Sequence, residues 1–281
     1  MKPTLTDSTR ALGLDVALIC ARYLCQTDHL HYGYWPDDLP VNINNLKTAQ
    51  ENYVRLLMEH IPAGTRTILD VGMGTGVLAG HLRDHGYEVE CVSPAPYLTE
   101  RARVLLGSEH VIHECKYEDI ETTKRYDLVL FSESFQYINL PQCLAVTDKV
   151  VAPGGHILIC DFFRRDTPEK GPFGGGHQYA DFCTQVGAYP WENRVNRDIT
   201  KETAPNLDMV SDAVTHVVAP IRDRVAAFAR VRHPRIASVL RFVFKKQIAQ
   251  AKTKYFSGTR TGANFAIYKT YRLLLYQTAR A

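Results

Sequence analysis

Short apolar runs alternate with amphipathic segments through the middle of the chain, from about residue 63 to residue 200. Apolar runs bounded by turn-forming residues predict buried strands, and apolar residues at helical spacing predict helices between them. The predicted strands are 67–71, 88–92, 111–113, 126–131, 155–160 and 191–199. Strands that alternate with helices in this way predict an α/β fold whose mostly parallel sheet has helices on both faces.

The pattern changes on both sides of this central region. Helices are predicted at 8–24 and 45–61, with the aromatic segment 28–36 between them. Residues 201–255 have apolar positions at helical spacing, and a seventh strand is predicted at 265–276. The chain therefore divides into four segments: an N-terminal helical and aromatic lid segment (1–62), an α/β core (63–200), a helical cap inserted before the last strand (201–262) and a final core strand (263–281).

The composition is ordinary for a globular protein. The 281 residues, 45% hydrophobic and 22% charged, suffice for one large α/β domain or two modest domains. No apolar run approaches the roughly 18 residues of a membrane span. The segment Met1–Thr4 does not begin a secretory signal pattern, so a cytoplasmic location is expected. The seven cysteines include no Cys-x-x-Cys pair, so we expect reduced thiols and no metal site.

Positive charge is concentrated toward the C-terminal end. The net charge is only +3, yet residues 221–281 contain 14 Lys and Arg and a single acid, Asp223. Such asymmetry indicates an anionic partner, although a solvated helix face has the same composition. Cations mixed with apolar residues suit peripheral contact with an anionic membrane, or they hold an anionic group of a substrate; both remain open. No nucleic-acid-binding module is recognisable, so no nucleic-acid partner is expected.

The segment Asp70–Gly76 carries the most specific chemical signal. It reads Asp-Val-Gly-Met-Gly-Thr-Gly and joins a predicted strand to a predicted helix. Glycine lets the backbone turn sharply and approach a ligand closely. A dinucleotide-binding loop instead has the spacing G-x-G-x-x-G, followed by an acid about 20 residues further on. Cys91 or Val92 stands where that acid is expected, so an NAD-dependent oxidoreductase is the weaker alternative.

This segment resembles the first motif of class I S-adenosylmethionine (SAM)-dependent methyltransferases. Further elements follow in the order of that family, namely Ser93-Pro94, Tyr117–Ile120 and Pro153–Gly155. The stretch His31–Trp35 resembles the small-molecule and lipid type of the family, such as the cyclopropane fatty acid synthase and sterol methyltransferase groups. The resemblance covers most of the chain. It implies a Rossmann-like seven-stranded fold, SAM as the cofactor and a helical cap for the substrate.

The resemblance also implies which residues hold SAM. Asp70 is expected to orient the methionine part, and Glu118 to face the adenine. Because the second strand lacks its usual acid, ribose recognition is left to Ser93, or to Glu90 if the register differs. The expected cofactor-binding residues are Asp70, Gly72, Gly74, Gly76, Ser93, Tyr117, Glu118, Ser132, Tyr32 and Tyr34.

Candidate catalytic residues follow from the chemistry of methyl transfer, which needs a positioned acceptor and a base where the acceptor carries a proton. Glu133 follows the fourth predicted strand, His177 follows three glycines, and Tyr137 adds an aromatic face near Glu133. His31 and Asp161 are further candidates for the base. A single base suits O- or N-methylation, whereas aromatic faces beside a carboxylate suit C-methylation, so the acceptor atom remains open.

The sequence thus predicts a SAM-dependent methyltransferase that acts on a small, lipid-like or acidic molecule by C- or O-methylation. The alternative outside catalysis is a SAM-binding regulatory or scaffold protein. The identity of the substrate and the oligomeric state are not specified by these patterns.

Overall fold

The computed structural model describes residues 9–169, 171–246, 248–249 and 256–279. Within these residues seven strands form one sheet. The strands are β1 (Thr67–Val71), β2 (Glu88–Val92), β3 (Ile112–His113), β4 (Tyr126–Ser132), β5 (Val151–Arg164), β6 (Trp191–Asp198) and β7 (Lys269–Thr278). The α-helices are α1 (Thr9–Cys25), α2 (Leu46–Glu59), α3 (Val77–Asp84), α4 (Pro96–Leu106), α5 (Leu140–Val150), α6 (Tyr179–Val186), α7 (Thr200–Thr203), α8 (Pro205–Ala213), α9 (Ala219–Arg232), α10 (Pro234–Val243) and α11 (Gly262–Tyr268).

The sheet is mostly parallel and has the strand order β3-β2-β1-β4-β5-β7-β6. β1 pairs in parallel with β2 on one side and with β4 on the other. β7 is antiparallel to both of its neighbours, β5 and β6. The chain thus leaves β1 toward one edge of the sheet and returns through β4 toward the other, which creates a switch point between β1 and β4. The predicted fold class is confirmed.

The centre of the sheet is covered on both faces. Successive side chains of a strand point to opposite faces, yet the consecutive residues Ile68 and Leu69 of β1 are both buried, as are Val129 and Leu130 of β4. This explains why the central strands appear in the sequence as continuous apolar runs rather than as alternating patterns. The buried centre provides a rigid base for the strand ends.

Two predicted element boundaries are wrong. The final strand begins at Lys269, because Gly262–Tyr268 is a helix in which Thr261 caps the start by accepting the Asn264 N–H at 3.2 Å. The fifth predicted strand, 155–160, is too short, because β5 runs from Val151 to Arg164, and its pairing with β4 shifts register between Tyr126 and Leu128. A register shift of this kind bends a strand without ending it.

The chain forms two compact units. One contains the described residues up to Asp166 together with Gly175–Thr203 and β7, and it holds the whole sheet. The other contains Ala204–Tyr268 and the short stretch Thr167–Gly174, and its described secondary structure is helical. The use of this second unit as a substrate cap stays a prediction. Among the described helices, none has the length and apolar character needed to cross a bilayer.

Candidate functional site

A cavity of about 400 Å³ opens at the carboxyl ends of β1, β2 and β4. Its wall includes Asp70 and Val71 of β1, Val92 of β2, and Ser132 of β4. It therefore lies at the switch point of the sheet, where open α/β sheets bind their ligands. All of its lining residues belong to the unit that contains the sheet.

The carboxylate of Asp70 is buried in this wall, and its hydrogen bonds are incomplete. Its side chain is 1% exposed, and its Oδ2 atom is buried without a hydrogen-bond partner. Burial raises the pKa of Asp70 to about 7, because a charged group is disfavoured away from water. A buried carboxylate in this state is ready to pair with a cationic group of a ligand.

The three loop glycines share a left-handed backbone conformation but differ in what surrounds them. All have positive φ angles, 78° at Gly72, 58° at Gly74 and 82° at Gly76. A Cβ at Gly72 would collide with Ser134, whereas a Cβ at Gly74 would meet nothing within 4 Å. Gly72 and Gly74 line the cavity, but Gly76 does not. Gly76 begins α3 in the left-handed conformation, and a Cβ there would lie 3.0 Å from Ala102 of α4, so it serves helix packing.

Four further expected cofactor residues line the cavity: Ser93, Tyr117, Glu118 and Ser132. The Tyr117 hydroxyl is hydrogen-bonded to the Thr147 hydroxyl at 2.9 Å, so this side chain presents its ring rather than its polar end. Glu118 accepts a hydrogen bond from the Asn139 N–H at 3.3 Å and remains partly exposed. Glu118 follows β3, at the edge of the sheet, whereas Asp70 lies on the central strand β1.

Of the two residues considered for ribose recognition, Ser93 lines the cavity and Glu90 does not. Glu90 accepts hydrogen bonds from Lys124 at 2.8 Å and from the Tyr126 hydroxyl at 2.7 Å, and it lies 3.0 Å from His113 Nε2. Burial by itself raises the pKa of Glu90, but these hydrogen bonds outweigh it and hold the pKa at about 2. Glu90 is therefore committed to a polar cluster away from the cavity.

Glu133 stands just past β4 with a backbone φ of 55°, a conformation that is unusual for a residue other than glycine. Its Oε1 atom accepts the Tyr32 N–H at 2.6 Å and the Tyr271 hydroxyl at 2.7 Å. Neither hydrogen bond uses Oε2, and Glu133 lines the cavity. Burial raises the pKa of Glu133 to about 7, although both hydrogen bonds oppose the rise. Such a carboxyl group can gain or lose a proton near neutral pH.

The N-terminal aromatic segment contributes to the wall, but not through the two tyrosines that were expected to bind the cofactor. His29, Leu30 and His31 line the cavity, whereas Tyr32 and Tyr34 do not. Tyr32 contacts Glu133 through its backbone, and the Tyr34 hydroxyl accepts a hydrogen bond from Arg197 at 2.7 Å. No local pattern distinguishes His29 from its neighbours, and only the folding of this segment onto the sheet reveals it.

His29 and His31 form a pair of neutral rings in this wall. His31 Nε2 lies 3.0 Å from His29 Nδ1. Burial lowers the pKa of His29 to about 4 and that of His31 to about 3, so neither ring carries charge at neutral pH. The hydrogen bonds that hold the segment include one from the Thr75 hydroxyl to the Asp28 carbonyl at 2.7 Å and one from Gln50 Nε2 to the His31 carbonyl at 2.8 Å.

The remaining candidates for catalysis divide between the cavity and the protein interior. Tyr137 lines the cavity and is 48% exposed. His177 does not line it; its Nε2 lies 3.1 Å from the Phe135 carbonyl, and burial lowers its pKa. Asp161 is buried and accepts the Gln136 N–H at 2.9 Å and the Phe162 N–H at 2.7 Å. Asp161 therefore orders the chain around β5 rather than facing the cavity.

Comparison with known proteins finds a family match for the region that forms most of this wall. A family model described as a methyltransferase domain matches residues 69–159. Malonyl-[acyl-carrier protein] O-methyltransferase of Anoxybacillus flavithermus is 32% identical over 119 residues, which cover 41% of this chain and 46% of that protein. The chain thus spans about half the length of this curated relative.

Solved structures with the same fold cover nearly the whole chain. Geranyl diphosphate C-methyltransferase from Streptomyces coelicolor A3(2), in complex with Mg²⁺, geranyl diphosphate and S-adenosyl-L-homocysteine, has a TM-score of 0.64 and 15% identity. That match covers 98% of this chain and 100% of the other. The [4+2]-cyclase SpnF has a TM-score of 0.66 and 15% identity, and the match covers 97% of this chain and 95% of that one. At these identities the structural matches establish the fold.

Proposed function

We propose that this chain, which carries a class I SAM-dependent methyltransferase domain, transfers a methyl group from SAM to a small molecule. The domain match and the name of the curated relative support a SAM-dependent methyltransferase, as the sequence predicted. The single observation that carries the proposal is the buried Asp70 carboxylate, whose Oδ2 atom has no partner in the wall of a cavity at the sheet's switch point.

The cavity residues fit SAM. Asp70 would hold the ammonium of the methionine part, because a cation is the partner that its orphaned oxygen needs. The open space beside Gly74 would admit the cofactor close to the backbone. Glu118 would accept hydrogen bonds from the amine or hydroxyl groups of the nucleoside, and Ser93 lines the same cavity. When bound, SAM supplies an electrophilic methyl group that leaves a neutral thioether behind.

Glu133 is the proposed base for the acceptor. Its pKa of about 7 makes the carboxylate available at neutral pH and strong enough to accept a proton. Tyr271 and the Tyr32 N–H fix Oε1 at 2.7 and 2.6 Å, which orients the carboxylate while Oε2 remains for the acceptor. Tyr271 is thus a positioning residue. Tyr137, which lines the same cavity, would provide an aromatic face beside the acceptor.

For the acceptor we propose an amphipathic or acidic small molecule. Apolar side chains, including Leu98 and Ile138, line the cavity together with three carboxylates and one cation, Lys116, which an anionic group of the acceptor would meet. A solved structure with this fold contains geranyl diphosphate, which is amphipathic and anionic. Both C- and O-methylation are compatible with a carboxylate base, so the acceptor atom is a question for experiment. A cytoplasmic location likewise stays a prediction.

Two measurements test this proposal. Isothermal titration calorimetry with SAM and S-adenosyl-L-homocysteine should show one site per chain; no binding at hundreds of micromolar would refute the cofactor assignment. Incubation with SAM and a panel of small carboxylates, isoprenoid diphosphates and hydroxylated lipids should then yield a methylated product by mass spectrometry. With that acceptor, Glu133→Gln should reduce turnover roughly a hundredfold or more while keeping cofactor affinity. The matched control His177→Asn should remain active, because His177 lies outside the cavity wall.

The same experiments distinguish a methyltransferase from a SAM-binding protein with another role. The match to the [4+2]-cyclase SpnF indicates that proteins with this fold are not all named for methyl transfer. Cofactor binding without any methylated product across the panel would favour a SAM-binding protein with another role. Full activity of Glu133→Gln would remove Glu133 from the catalytic residues and leave the methyltransferase assignment intact.

A further inference from the structure

Helix α10 exposes a continuous apolar stripe. Ile236, Val239, Leu240 and Val243 follow the spacing i, i+3, i+4, i+7, which places them on one face of the helix. Each of these side chains is 51–61% exposed. Isolated apolar residues on a surface are ordinary, but a contiguous apolar face marks a site of interaction. We call these four residues the α10 stripe.

Helix α9 repeats the arrangement. Ile221, Val225 and Phe228 follow the spacing i, i+4, i+7 and are all exposed. Two successive helices of the same unit therefore each present an apolar face. Both helices lack buried residues among the side chains that the structure describes, so these faces do not form the core of that unit.

Most of the polar positions between these apolar residues are cationic. Residues 219–249 contain eight Lys and Arg and one acid, Asp223. Arg222 and Asp223 form an ion pair at 2.8 Å, which leaves seven cations with no acidic residue in this stretch to balance them. Arg235 and Arg241 of α10 lie outside the α10 stripe. They occupy positions i−1 and i+5 relative to Ile236, which are on a different face of the helix.

We propose that α9 and α10 bind an anionic lipid surface, with the α10 stripe inserted among the acyl chains and the flanking cations at the headgroups. Short amphipathic helices with a cationic polar face bind bilayer interfaces in this way. A second copy of the chain is a poorer occupant, since a symmetric contact would bring two sets of uncompensated cations together. Nucleic acid would neutralise the cations but leave the stripes in water. Lipid binding by α9 and α10 does not depend on methyl transfer.

Co-sedimentation of the full chain with vesicles tests the proposal. The chain should bind vesicles of phosphatidylcholine mixed with phosphatidylserine, should bind neutral phosphatidylcholine vesicles far less, and should dissociate as salt is raised. Replacing Arg235 and Arg241 together by Gln should weaken binding roughly thirtyfold, at about tenfold per 1.4 kcal/mol and about 1 kcal/mol per cation. Replacing Leu240 and Val243 together by Ser should abolish binding, because it removes half of the α10 stripe.

The matched control replaces Val104 and Leu105 of α4 by Ser, since these side chains are 75% and 50% exposed and lie in the other unit. This control should bind like the original chain. Circular dichroism and binding of S-adenosyl-L-homocysteine would establish that each variant is folded. The proposal is overturned if the original chain ignores anionic vesicles, if it binds neutral vesicles equally, or if the Leu240 and Val243 variant binds unchanged. A lipid-free dimer that this variant dissociates would assign the stripe to self-association instead.

Discussion

Replacing Asp70 by Asn should stabilise the ligand-free protein and at the same time weaken its binding of S-adenosyl-L-homocysteine. The substitution keeps the size of the side chain but removes a buried charge whose Oδ2 atom has no partner. Such a charge opposes folding until a ligand supplies the opposite charge. The two effects have opposite signs because both arise from the same uncompensated oxygen.

The magnitude of the stability effect follows from the pKa of Asp70. It is about 7 in the folded chain and about 3.9 when unfolded. Between these values the folded state holds a proton that the unfolded state has released, so stability falls as pH rises and becomes constant above about pH 7. A shift of about three units corresponds to at most about 4 kcal/mol. Asp70→Asn should therefore be more stable at about pH 8, and its advantage should shrink steadily toward pH 4.

The expected loss of affinity is estimated separately from the stability effect. Truncating one partner of a buried, hydrogen-bonded charge pair costs roughly 2–5 kcal/mol, which is a loss of affinity of about thirtyfold to several thousandfold. For the unmodified chain, affinity for S-adenosyl-L-homocysteine should fall up to about tenfold per unit below pH 7, because Asp70 must first release its proton. The Asn variant should lack this pH dependence.

Urea denaturation at about pH 5.5 and pH 8, together with calorimetric titration of S-adenosyl-L-homocysteine, measures both effects. The matched control is Asp127→Asn. Asp127 accepts hydrogen bonds from the Arg66 and Thr67 N–H groups, both at 2.9 Å, and these hold its pKa below the usual range despite partial burial. That variant should lose stability at pH 8. A similar loss of stability in Asp70→Asn would show that the Asp70 carboxylate is not an uncompensated charge, and an unchanged affinity would show that it does not receive the ligand's cation.

Two further substitutions test other parts of the fold. Glu90→Gln should cost about 2 kcal/mol at neutral pH, because the Glu90 pKa of about 2 lies below its unfolded value, and partial exposure to solvent reduces the full effect of that shift. The difference in urea stability should vanish as pH falls from about 4.5 toward 2. A pH-independent difference would contradict this explanation. Gly72→Ala should cost about 1–3 kcal/mol more than Gly64→Ala. Both glycines have positive φ, but only a Cβ at Gly72 collides with Ser134, so equal losses of stability would rule out that steric reason.

Features that depend on neighbouring residues were predictable. The run Thr67–Val71, the glycines after it and the helix Val77–Asp84 all lie where the local pattern places them. Apolar periodicity and the positive φ of glycine are properties of a few consecutive residues, so they are encoded locally. The start of the last strand at Lys269 was not predicted, because local patterns were ambiguous there. Gly262–Tyr268 is rich in apolar residues that suit a strand as well as a helix.

The composition of the cavity depended on the tertiary structure. The sequence by itself determined the sheet, the glycine loop and the position of Asp70 at the end of β1. Only the fold decided that Tyr271 orients Glu133, which lies 138 residues earlier, that Ser93 rather than Glu90 lines the cavity, and that His177 does not. These contacts follow from strand order and register. Both arise when the whole sheet is buried and distant segments of the chain come together. No local pattern of residues specifies such contacts.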